Sequence, residues 1–287
     1  MVNPSLILKG VTVIIAPHMD DAVLACGGII AQLPQKNKIH IVYATDGSRS
    51  PHAMFPRYKQ DAHNLTKIRI QEAKAALKIL GVSETNLHFL NYPDGQLKHY
   101  ASEFSNQIIQ LIQKVEANQI LIPFRYDSHP DHLAVNRLTT RALQKVNQNH
   151  IARFEYFVYY RLRLLPGQDL RKYINPHLLY RFDINHHSDQ KRTALQCFKS
   201  QVTRFYDWQD RPILTQELIE EVCRNQEMLL KNNNTKTLNQ KETLFIKYRN
   251  YIPLVHYLEP ALKAMKDKMV LIIKLARKSL SSIIVTN

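Results

Sequence analysis

In the first half of the chain residues 11–16 form a continuous β-branched apolar run, and residues 38–45 ("KIHIVYAT"), 86–92 and 119–124 ("QILIPF") read as three further strands. A strand that is apolar on both faces is buried on both, which is the habit of strands inside a parallel sheet. Stretches of helical length and period separate them. Residues 58–80 are rich in Ala, Lys and Gln and stop at Gly81; residues 103–117 and 132–145 follow the same pattern. This alternation predicts βαβ units, hence a Rossmann-like α/β fold with a mostly parallel sheet and helices on both faces. An aromatic strand over 152–163 follows, and 183–206 reads as a loop leading into a helix.

Polar residues collect where the strands stop. The first run ends in "PHMDD", placing His18, Asp20 and Asp21 together ahead of an apolar helix with paired glycines. The second ends in Asp46-Gly47, the third in Asp94-Gly95, and the fourth in Asp127, His129, Asp131 and His132. Ligands of open parallel sheets bind beyond the carboxyl ends of the strands. Imidazoles and carboxylates from four strand ends therefore converge on one edge, and the C-terminal strand ends are the expected metal site.

Zinc takes about four nitrogen, sulfur or oxygen ligands at roughly 2.0–2.2 Å for N and O, and catalytic sites leave one position open. Two histidines and one aspartate from these clusters suffice. A remaining carboxylate can take a proton from water and a remaining histidine can stabilise an oxyanion. Taken singly, each residue has a plainer use: Asp caps helices, and Asp-Gly makes turns. Two His/Asp clusters at neighbouring strand ends are not explained that way. Cys26 reads as a small core residue, and His52, His63, His88 and His99 as surface or supporting residues.

The ordered set "APHMDDAVLACGG", "ATDG", "KIRIQEAKAALKILGV", "NYPDG" and "HPDHLAVNRL" resembles the LmbE-like, or PIG-L, family of zinc-dependent N-acetylglucosamine deacetylases, over residues 11–145, with an echo in "KSQV" at 199–202. The resemblance implies His18, Asp21 and His132 as ligands of one Zn2+ per chain. It makes Asp20 the general base, His129 the oxyanion stabiliser and Asp131 the residue that orients His129. Arg69, in an R-x-x-E pattern with Glu72, and Asp94 would contact the sugar. The implied reaction removes acetyl from a free, nucleotide-linked, lipid-linked or glycan N-acetylglucosamine-type sugar and releases acetate. Met19 stands where the family usually has proline, and Ala22 where an acidic residue often follows.

Other classes fit less well. A metal-dependent phosphoesterase is the nearest alternative, but it wants two metals about 3.5–4 Å apart and more bridging carboxylates. A non-catalytic sugar-binding or membrane-associated protein has no need of a base at Asp20. No G-x-G-x-x-G follows the first strand, which argues against a dinucleotide-binding protein. The 39 Lys and Arg against 24 Asp and Glu give a net charge of +15. No nucleic-acid motif accompanies it, so nucleic acid is not the expected partner.

Three dispersed cysteines without a C-x-x-C pair, and an N-terminus without signal-peptide layout, predict a cytoplasmic protein. The expected organisation is a catalytic domain over 1–230, a polar linker over 231–250 and a basic amphipathic helical segment over 251–287. That last segment suits either a homo-oligomer contact or peripheral association with an anionic membrane, at its inner face.

Overall fold

The computed structural model describes residues 2–51, 61–127, 129–146, 150–158 and 174–232. The chain divides into two compact units, Met1–Arg161 with Asn175–Thr237, and Leu162–Ile174 with Leu238–Asn287. The described strands and helices all belong to the first unit. The expected continuation of the aromatic strand past residue 158, the helix start at Tyr58, the linker beyond Asn232 and the C-terminal amphipathic segment lie outside the described residues.

The strands are β1 (Thr12–Ala16), β2 (Ile39–Thr45), β3 (Leu87–Tyr92), β4 (Gln119–Pro123), β5 (Ala152–Tyr156), β6 (Leu179–Asp183) and β7 (Gln226–Lys231). They form one 7-stranded sheet in the order β3-β2-β1-β4-β5-β7-β6. The pairs among β1 to β5 are parallel, with Ile14 opposite Ile41 on one side and Leu121 on the other. β7 pairs antiparallel with both β5 and β6. The chain leaves β1 toward β2 and β3, then returns to place β4 on β1's other side. Strand order thus reverses between β1 and β4, and the crevice beyond their C-terminal ends is where such sheets take ligands.

The helices are α1 (Pro4–Ile7), α2 (Asp21–Gln32), α3 (Ala62–Ile79), α4 (Ala101–Lys114), α5 (Pro130–Lys145), α6 (Ser188–Leu195), α7 (Lys199–Val202) and α8 (Gln216–Val222). All five residues of β1 are buried, and they divide between two cores. Ile14 and Ala16 pack with Val23 and Ile30 of α2, Ala73 and Leu77 of α3, and Leu195 of α6. Val13 and Ile15 pack with Phe104 and Ile108 of α4 and Val135 of α5. Helices on both faces explain why β1 and β4 are buried along their whole length.

The paired glycines of α2 allow close approach. A Cβ on Gly28 would stand 2.4 Å from Ile184, just beyond β6. The Gly28 and Ile29 amides donate to Glu227 of β7 at 2.8 and 2.7 Å. Lys191 of α6, fully buried, donates to Glu227 at 2.6 Å and to the Leu24 and Val222 carbonyls at 2.8 and 2.9 Å. Each buried charge is therefore paired and hydrogen-bonded, the condition under which burial is tolerated.

Candidate metal and catalytic centre

Beyond Ala16 the chain turns sharply. The Pro17 carbonyl accepts from the Thr45 amide at 3.0 Å and its hydroxyl at 2.8 Å, which ties the end of β1 to the end of β2. α2 then starts at Asp21, so His18, Asp20 and Asp21 all fall within one turn of a buried helix N-terminus, where carboxylates are favoured. Asp20 occupies the capping position, but its side chain makes no capping bond. Its Oδ1 instead accepts from Nη2 of Arg69 at 2.8 Å. Arg69 is 1% exposed and also donates to the Gly47 carbonyl at 3.0 Å. Gly47 has φ +61°, and a Cβ there would meet Arg69 Nη1 and Met19 Sδ, each at 2.9 Å. The glycine of "ATDG" is what lets that arginine reach the site.

Asp21 lies at the centre. Its Oδ2 is 3.1 Å from Nδ1 of His18 and 3.2 Å from Nε2 of His132, and it accepts the His18 amide at 2.9 Å. His18 and His132 thus each bring a ring nitrogen to the same buried Asp21 oxygen. His18 is also a member of two wider groups, one with His129 and His132 and one with Asp94 and Asp131, in each of which the donor atoms lie within 4.8 Å of one another. The chemistry of the set, imidazole nitrogen and carboxylate oxygen, suits zinc.

The outward-facing ring nitrogens meet carboxylates. His18 Nε2 stands 3.4 Å from Asp94 and 3.5 Å from Asp131, and His132 Nδ1 is 3.1 Å from Asp127 Oδ2. Carboxylates behind metal-binding histidines fix ring orientation and strengthen the ligand. Sequence reasoning placed Asp127 at a strand end but gave it no role. Here its Oδ1 also accepts the His129 amide at 3.0 Å, so one carboxylate sets both histidines of "HPDH".

α5 starts at Pro130, two residues before the expected His132, because the His129 imidazole caps it: Nδ1 accepts the Asp131 amide at 3.2 Å. An accepting Nδ1 assigns the proton of the neutral ring to Nε2. The Asp131 carboxylate accepts from the Gly95 and Leu97 amides at 2.6 and 3.2 Å, and the Asp131 backbone amide is the group that bonds His129 Nδ1. Asp94 is 5% exposed, accepts the Arg49 amide at 3.1 Å and donates its own amide to Asp46 at 3.1 Å.

Electrostatics follow this layout. Burial alone would lower the His18 ring, but Asp131, Asp21 and Asp94 raise it well above its ordinary value. Against the same burial, Asp21 and Asp127 bring His132 up to about 9. Burial would raise Asp21, but His132 and His18 hold it well below the usual carboxylate range. Asp20 is raised: burial and Asp21 outweigh Arg69. His129 moves to about 4 through burial and the charges of His18 and His132, so at neutral pH it is a hydrogen-bond donor and not an acid.

A cavity of about 510 Å³ opens on the cluster, lined by His18, Asp20, Arg69, Asp94 and His129 and walled by Arg49, Ser50, Pro130, Ile213, Leu214 and Leu218. That size suits a sugar-sized ligand. Met19 and Ala22, the two departures from the family pattern, are fully buried.

Fold and site together define an α/β protein with a His/Asp cation cluster at the point where its strand order reverses. The family model described as PIG-L: GlcNAc-PI de-N-acetylase matches residues 13–143. The uncharacterized deacetylase YaiS of Escherichia coli (strain K12) is 30% identical over 146 residues, covering 49% of this chain and 71% of that protein. The chain belongs to the PIG-L family. Among solved structures, N,N'-diacetylchitobiose deacetylase from Pyrococcus horikoshii matches with TM-score 0.56 and 20% identity, over 80% of this chain and 86% of that one. GalB, a 4-carboxy-2-hydroxymuconate hydratase from Pseudomonas putida KT2440, matches with TM-score 0.53 and 19% identity, over 80% and 99%. These likenesses speak for the fold, and the fold carries more than one chemistry.

Proposed function

We propose that this protein is a zinc-dependent N-deacetylase that hydrolyses the acetamide of an N-acetylglucosamine-type sugar to acetate and the free amine. The observation that carries the reading is the buried Asp21 oxygen flanked by His18 and His132 nitrogens, with Asp20 and His129 lining the same cavity. His18, Asp21 and His132 would hold zinc, which when bound supplies a Lewis acid for the carbonyl and lowers the pKa of water toward about 7.

The chain's own groups do the rest. Asp20, held by Arg69, takes the proton of the attacking water as the water oxygen bonds to the acyl carbon. The Nε2–H of His129 donates to the carbonyl oxygen as negative charge gathers there. As the C–N bond breaks, the amine leaves with the proton from Asp20. Asp94 is positioned at the wall to accept from a sugar hydroxyl. Arg69, which the resemblance implied as a sugar contact, is given a nearer task here, that of holding the base.

The test is acetate release from free, nucleotide-linked, lipid-linked and glycan N-acetylglucosamine. Asp20→Asn should keep the metal and lose about 10²–10⁴-fold in rate. Near-normal turnover by that variant would remove Asp20 from the mechanism. The group of His18, Asp94 and Asp131 favours a second reading, a two-metal phosphoesterase. Against it, both Asp131 oxygens and one of Asp94 already accept backbone amides. Two metals per chain with phosphate release would decide for it.

A further inference from the structure

The motif "KSQV" forms α7, one short turn with no residue in the cation cluster. Ser200 and Gln201 are nonetheless fully buried. The Gln201 side chain is fastened to Ser50 twice: Oε1 accepts the Ser50 hydroxyl at 3.0 Å, and Nε2 donates to the Ser50 carbonyl at 2.9 Å. The Gln201 carbonyl accepts the Leu214 amide at 2.9 Å. Ser50 and Leu214 both line the cavity, each beside a second lining residue, Arg49 and Ile213.

α7 is itself fixed from a third direction. Glu72, one helical turn beyond Arg69 on α3, accepts the Ser200 amide at 2.6 Å and its hydroxyl at 2.7 Å. Ser200 also accepts from Gln201 Nε2 at 2.9 Å, which leaves the amide no freedom to turn. The R-x-x-E pattern and "KSQV" are therefore one construction. Arg69 faces the base, Glu72 faces α7, and α7 faces two stretches of wall some 160 residues apart in sequence.

We propose that Gln201 is a positioning residue that sets the width of the substrate cavity by holding Ser50 through its side chain and Leu214 through its carbonyl. It touches neither the reacting atoms nor the ligand cluster. Its effect falls on the fit of the substrate, not on proton transfer. This rests on the reading of the cavity as the substrate site.

The test compares the full-length wild-type protein with Gln201→Ala, Gln201→Glu and Ser50→Ala, using N-acetylglucosamine and N,N'-diacetylchitobiose as probes. Gln201→Glu keeps the acceptor for the Ser50 hydroxyl but sets an oxygen against the Ser50 carbonyl. Ser50→Ala alters only the half-buried partner, so it remains informative if a Gln201 variant folds poorly. Expected is a rise in KM of about tenfold for Gln201→Ala with kcat within about threefold, since uniform binding is lost and not transition-state stabilisation. Amide hydrogen exchange should quicken over 46–51 and 211–216 and stay unchanged over β1. Unaltered exchange over 46–51, or a lowered Tm with KM unchanged, would overturn the proposal. If the wild-type protein releases no acetate from free, nucleotide-linked, lipid-linked or glycan N-acetylglucosamine, it is the deacetylase reading that fails, and the exchange data still decide the role of Gln201.

Discussion

Replacing Arg69 by glutamine should show how strongly this site depends on a pair that is not part of the ligand set. Arg69 and Asp20 are 1% and 7% exposed and meet at 2.8 Å, with Asp21 as the next carboxylate along the chain. Deleting one partner of a buried ion pair costs about 3–5 kcal/mol, because the other charge is left without compensation. The lower end applies, since Asp20 is already raised by burial and can take up a proton instead. A loss of ~3 kcal/mol corresponds to a fall of about 6–12 °C in Tm for a domain of this size. The assay is a double-mutant cycle by thermal denaturation with Arg69→Gln, Asp20→Asn and the double variant. The double variant carries no orphaned charge and should be at least ~2 kcal/mol more stable than the sum of the singles implies. Additivity within about 0.5 kcal/mol would refute the coupling. Activity gives the second readout. Arg69 lowers the pKa of Asp20, so its loss raises that pKa, and the acidic limb of the rate profile of Arg69→Gln should move to higher pH.

Asp127→Asn should weaken zinc binding about 10–100-fold although Asp127 is not a proposed ligand, as measured by competition with a chelator; unchanged affinity would show that the Asp127–His132 contact is incidental. His40 Nδ1 and His88 Nε2 meet at 3.2 Å on β2 and β3, and burial lowers both rings, with His40 and Lys114 adding to the effect on His88. Their folded pKa values lie below the unfolded value of about 6.5, so this pair's contribution is complete above that pH and declines as pH falls through it. His88→Gln should therefore flatten the fall of Tm between about pH 7 and 5 relative to wild type, and an identical slope would contradict the assignment. Residues 262–284 hold six basic side chains and one acidic; we expect the full chain to sediment with anionic vesicles and a chain ending at Tyr257 not to. Equal sedimentation would dissociate that segment from any membrane role.

The parallel half of the sheet was legible because β1, β2 and β4 are apolar on both faces, a pattern only a doubly covered strand needs. β6 and β7 were not. "LYRFD" exposes Arg181 and Asp183 and buries Phe182, and Glu227 in β7 is a buried charge whose partner, Lys191, is 36 residues away. Lys231, where the polar stretch was expected to start, is the last residue of β7, opposite Phe154. At the site, strand-end placement was enough to gather the two His/Asp clusters, and the resemblance was needed to name His18, Asp21 and His132 among them. The contacts of Asp127, Arg69 and Gln201 were hidden, because each reaches across separate elements in a way that no local period encodes. For Asp131 the resemblance implied a part in orienting His129; its backbone amide donates to His129 Nδ1, while its carboxylate accepts from the Gly95–Leu97 turn.

Among the described residues no helix is long and apolar enough to cross a membrane. The most direct measurement is a zinc titration of chelator-treated protein, with bound metal and acetate release from N-acetylglucosamine substrates read on the same samples. Wild type should gain activity in proportion to metal and saturate at one zinc per chain, while His18→Ala and His132→Ala should neither retain zinc nor release acetate. Full acetate release by the metal-free protein, or undiminished zinc in both histidine variants, would contradict the account.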